Sequence, residues 1–126
     1  MIILCLRTDN PLAEVALYED EKLLEHVAWE AHRQLAETLH VKIQDLLSKH
    51  GADWKDIGGV VMYKGPGSFT GLRIGFSVGN AVAYANGVLV SAETGDDWQK
   101  KGVVALMAGK GEPAALPEYG GPAHTT

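Results

Sequence analysis

The chain has 126 residues, with 16 acidic against 11 basic side chains and a net charge of −5. Hydrophobic residues at 46% and charged residues at 21% are ordinary globular usage, which excludes a wholly disordered chain and suggests one domain. The acidic balance argues against a basic nucleic-acid stripe, and the single cysteine, Cys5, excludes an internal disulfide.

Residues 2 to 6 are continuously apolar and predict a strand buried on both faces, with Cys5 as a small buried apolar residue. The run is too short for a signal peptide or a membrane span, so the expected compartment is the cytoplasm. Asp9-Asn10-Pro11 is a turn signal. Residues 12 to 18 alternate, with Ala13, Val15 and Leu17 on one face. After the polar break Glu19 to Lys22, residues 23 to 29 alternate again, with Leu23, Val27 and Trp29 together. The pair predicts an antiparallel hairpin. From 33 to 50 the period becomes helical, through Leu35, Leu39, Ile43, Leu46 and Leu47, and Gly51 is the stop. Ile57 to Tyr63 predict a central strand, 68 to 86 a second helix ended by Gly87, and Val88 to Val90 a short strand. Asp96 to Lys101 read as one helical turn and Val103 to Met107 as a last strand. The order predicts an α/β domain over 1–108, a mixed sheet with flanking helices, and a loosely ordered Gly/Pro-rich tail over 109–126.

Gly65-Pro66-Gly67 joins a predicted strand to a predicted helix. Ser68 or Thr70 can cap that helix, and its free N–H groups and dipole attract anions. Gly65, Gly67, Ser68, Thr70 and Arg73 are therefore candidate anion-binding residues, although neither a Walker ending nor dinucleotide spacing is present. A plain strand-to-helix turn is the competing reading.

Gly71, Gly75 and Gly79 recur every four residues on one helix face. Together they cost about 3 kcal/mol relative to alanine. Something must approach that face closely. Two readings stand: the chain's own sheet, or the helix of another subunit.

No catalytic residue stands out. Ser68 lacks a nucleophile elbow and reads as a cap. His26, His32, His40, His50 and His124 lack ligand spacing, so no metal is expected. Trp29 fits a core-facing strand position, and Trp54 reads as a partly buried lid.

The stretch Gly-Pro-Gly-Ser-Phe-Thr-Gly-Leu-Arg-Ile-Gly over 65–75 resembles the signature of the TsaB (YeaZ) family. Ile3 to Thr8, Gln44 to Leu47 and Asp56-Ile57 extend the resemblance over residues 1 to about 95. Glu112-Pro113 and Leu116 to Gly120 resemble the family's closing segment. The resemblance implies one lobe of the ribonuclease-H-like, actin-like ATPase (ASKHA) fold. Family chains carry two lobes, and the second is expected to be missing here.

The resemblance also implies a function. The family's TsaB is a scaffold that pairs with the catalytic paralogue TsaD, works with the ATPase TsaE, and serves threonylcarbamoyl transfer to adenosine in tRNA. It implies docking through the first two helices, either to a TsaD-like subunit or to a second copy. The expected interface is Gly71, Leu72, Gly75, Gly79, Leu39 and Ile43. RNA would be met only through the partner, no membrane is involved, and the isolated chain would hold no cofactor. ATP and Mg²⁺ would enter only in the complex. A small ATP- or anion-binding domain and a homodimer on the same helical surface are the alternatives.

Two departures bear on this. Arg7 stands where the family has an aspartate at the first phosphate loop, and arginine cannot ligate Mg²⁺. Leu35 stands where the family has a histidine, with His32 about a turn earlier.

Overall fold

The computed structural model describes residues 1–117. His124 and the last part of the expected closing segment, Glu118 to Gly120, lie outside the described residues. The elements are β1 (Ile2–Arg7), β2 (Leu12–Glu19), β3 (Lys22–Glu30), α1 (Leu35–Lys49), β4 (Ile57–Tyr63), α2 (Phe69–Asn86), β5 (Val90–Glu93) and α3 (Trp98–Met107). Short 3-10 turns at His32–Gln34 and Trp54–Asp56 lead into α1 and β4.

The five strands form one sheet in the order β3-β2-β1-β4-β5. The first three are antiparallel neighbours, and β4 joins β1 in parallel, as β5 joins β4. This is the expected mixed sheet. Its centre explains the apolar run of β1: Ile3, Leu4, Cys5 and Leu6 are buried from both sides. Burial pushes the Cys5 thiol far above its ordinary pKa and keeps it protonated.

Helices α1 and α2 cover one face. Leu39, Ile43 and Leu47 of α1 and Leu72, Phe76 and Ala83 of α2 pack there with Leu4, Leu6, Val15, Leu17, Val60 and Met62. Helix α3 covers the other, with Trp98, Val103 and Leu106 against Ile3, Cys5, Ala16 and Val61.

Three expectations need correction. Val103 to Met107 are helix, not strand. A short apolar run carries no clear period of its own. Trp98, Gly102, Val103 and Leu106 lie at helical spacing and face the sheet, which must bury its second side. The last strand starts at Val90, not Val88, because the Val88 N–H donates back to the Ala83 carbonyl and prolongs the helix end. Gly87 makes that end possible with φ of +65°, a left-handed position suited to glycine. In β3, Leu24 joins Val27 and Trp29 at the core, and Leu23 is left exposed. A register shift opposite Leu17/Tyr18 moves the face by one residue.

Beyond α3 the chain returns to the sheet edge. Glu112 exchanges backbone hydrogen bonds of 2.7 and 2.9 Å with Val90. Asn80 of α2 donates to the Ala115 carbonyl and accepts from its N–H, at 2.9 and 3.0 Å. Residues 112 to 115 are thus tied to both β5 and α2. Asn80→Ala removes two paired bonds near the core edge and is expected to cost about 1–2 kcal/mol. Faster amide exchange at Val90 and Glu112 would report release of the segment, and unchanged exchange would refute the tie.

Candidate functional site

The Gly65–Gly75 stretch is the β4–α2 connection. The Gly65–Pro66 peptide is cis, and Gly65 takes φ of +102°, which only glycine adopts without strain. Ser68 is the N-cap of α2, its hydroxyl accepting from the Gly71 N–H at 3.4 Å. The turn presses on the β1–β2 connection: Gly67 lies against Asp9, and the Ser68 N–H donates to the Asp9 carbonyl at 2.8 Å.

The five candidate anion residues do not share one pocket, though Thr70 lines one cleft with Ser68 and an adjoining groove with Arg73. The Gly65 carbonyl accepts from Thr94, and Gly67 is filled by Asp9. Ser68 and Thr70 line a cleft of about 290 Å³ with Thr8, Asn10, His32 and Arg33. Arg73 turns to the helical surface, its guanidinium 5.4 Å from the Phe69 ring and beside Ala36, Ser77 and Val78.

The six expected interface residues are also placed otherwise. Gly71, Leu72, Gly75, Gly79, Leu39 and Ile43 all face the chain's own core. A Cβ at Gly71 would collide with the Thr8 carbonyl, one at Gly75 with the Thr8 side chain, and one at Gly79 with Met62. Thr8 sits in this groove, its hydroxyl donating to the Gly71 carbonyl at 2.8 Å. Of the two readings of the glycine row, close packing on the sheet is the observed one. The sequence located a close contact but not its direction, because spacing does not say which face meets the sheet.

Among the described residues nothing covers the outer faces of the same helices. Ala36 and His40 of α1, Trp54, and Ile74, Val78, Ala81, Val82 and Ala85 of α2 line two adjoining grooves of about 380 Å³ each. His40 stacks on Trp54 with ring centroids 4.8 Å apart, and the Trp54 indole donates to Gln44 at 2.7 Å. The apolar positions of α2 beside the glycine row were the available sequence signal for this surface.

Arg7 ends β1 in an ion pair. Its Nε donates to Asp9 Oδ1 at 2.8 Å and its terminal nitrogen to Oδ2 at 3.3 Å. The guanidinium stacks 3.8 Å above the Tyr63 ring and lies 3.9 Å from Glu14 Oε2. Burial opposes its charge, but the Asp9 hydrogen bond and charge prevail and hold its pKa above the ordinary arginine value. The fold class implies Mg²⁺ and nucleotide at this turn. The residues do not fit them: a cation already neutralises Asp9, and a first-turn helix donor serves the Asp9 carbonyl. The sequence marked Arg7 but gave no sign of Asp9, which read only as a turn residue. Among the described residues no group of three or more His, Cys, Asp or Glu is placed to hold a metal, and no helix is long and apolar enough to cross a membrane.

Comparison with known proteins agrees with this architecture. The family model of TsaD, tRNA N6-adenosine threonylcarbamoyltransferase, matches residues 27–92. The tRNA threonylcarbamoyladenosine biosynthesis protein TsaB of Escherichia coli (strain K12) is 29% identical over 115 residues, covering 86% of this chain and 49% of that protein. YeaZ from Pseudomonas aeruginosa superposes with a TM-score of 0.68 at 29% identity, over 74% of this chain and 43% of its own. RuvC of T. thermophilus, solved with a Holliday junction substrate, gives a TM-score of 0.52 at 14% identity and shows likeness of fold alone. The chain spans about half the length of the TsaB and YeaZ relatives it matches. With β1, the β4–α2 turn and the single ribonuclease-H-like lobe all in place, the chain belongs to the TsaD family of proteins, on its TsaB (YeaZ) branch.

Proposed function

We propose that this lobe is a non-catalytic scaffold in tRNA threonylcarbamoyladenosine modification, docking a TsaD-like partner through the outer faces of α1 and α2. The observation that carries the reading is the apolar groove from Ala36 to Ala85, which none of the described residues covers, on helices whose inner faces are already filled by their own sheet. An apolar strip between two helices, rimmed by Arg73 and an aromatic pair, suits a partner's helices packed side by side. The net charge of −5 disfavours direct RNA contact, so the tRNA is met through the partner. A TsaE-like ATPase would join only the assembled complex.

The test is size-exclusion chromatography with a TsaD-like protein at micromolar concentration. Co-elution is the expected result. A stable homodimer that excludes the partner would instead assign the groove to self-association, and separate monomers would refute the reading.

A further inference from the structure

The end of β1 carries a second feature, independent of the helical groove. Asp9 is pinned at both ends. Its carbonyl accepts from Ser68 at the start of α2, and its carboxylate, with only 8% of the side chain exposed, receives Arg7 twice. Asn10 adds a longer contact to Oδ2 at 3.4 Å. Glu14, on the neighbouring strand, faces Arg7 with Oε2 while its Oε1 meets His26 Nε2 at 2.8 Å. Tyr63 closes the other side of the guanidinium. One cation therefore joins the ends of β1 and β4, the β1–β2 turn and β2.

We infer that Arg7 is a built-in cation, occupying the place between Asp9 and Glu14 that a divalent ion would otherwise need, and thereby closing this end of the lobe to Mg²⁺ and its nucleotide complexes. A nearly buried carboxylate needs a compensating positive charge, and either a guanidinium or a hard divalent cation supplies it. A guanidinium forked onto Asp9 and stacked on an aromatic ring is a fixed part of the chain and does not exchange with solvent ions. The site is thus complete without a ligand.

The test replaces the cation's source. Arg7→Asp puts a third carboxylate beside Asp9 and Glu14, and its thermal melting is followed in chelator and in Mn²⁺. The variant is expected to melt well below the wild type in chelator and to regain about 5 °C or more in Mn²⁺. The wild type is expected to show the same midpoint in chelator, in Mn²⁺ and in Mg–ATP. Failure of Mn²⁺ to raise the variant's midpoint, or to fold it where it is unfolded in chelator, would overturn the inference. So would a saturable rise of the wild-type midpoint in Mn²⁺ or Mg–ATP.

Discussion

Gly71→Ala is expected to destabilise the chain by about 2 kcal/mol or more, although the same change in an exposed helix interior would add about 1 kcal/mol of stability. The sign is decided by what the new methyl meets. At Gly71 it meets the backbone carbonyl of Thr8, which directly follows β1 and cannot step aside without moving the end of that strand. Gly75→Ala meets the Thr8 side chain, which can shift only by giving up its bond to the Gly71 carbonyl, so a smaller loss is expected. Gly79→Ala meets Sδ and Cγ of Met62, a buried but unbranched side chain that can turn more readily than Thr8, so the smallest loss of the three is expected. Urea unfolding of the three variants checks the series. An order other than 71 worst, 75 next and 79 mildest would mean that the helix does not sit on Thr8 as described. A stability of 5–15 kcal/mol is typical of such a domain, so Gly75→Leu should leave little folded protein.

The second large effect is on association. Ala81 is exposed and lines the uncovered groove. Arginine is a good helix former, so Ala81→Arg should change stability by no more than about 0.5 kcal/mol. A long charged side chain in the centre of an apolar interface should nevertheless cost about 2 kcal/mol or more of binding, roughly thirtyfold in affinity. Calorimetric titration with a TsaD-like protein reads the loss directly. A variant that folds normally and binds as well as the parent would move the docking surface elsewhere. Together the two experiments separate the inner face of α2, which holds the lobe together, from the outer face proposed to meet a partner.

That separation marks the boundary between what local pattern encodes and what packing decides. The continuous apolar run at Ile3 to Leu6, the alternation of β2 and the helical period of α1 each carry their own structure, because burial on one or both faces imposes a distinct spacing. The stretch Gly65 to Gly75 identified the family, and Ser68 was recognisable as a cap from its place before the helix. Direction and pairing were not encoded in this way. The glycine row announced a close neighbour, but only the crossing of α2 over the end of β1 made that neighbour Thr8. Val103 to Met107 became helix because the back of the sheet required a cover longer than a strand's local pattern could specify. Arg7 and Asp9, two residues apart, formed an ion pair because Arg7 is stacked on Tyr63 while the turn carrying Asp9 is held by the start of α2. The sequence by itself determined the family and the elements from β1 to α2, but not helix α3. The tertiary structure decided which helix face was spent inside and which was left exposed, since contact between distant segments depends on how whole elements cross and not on the order of residues within one.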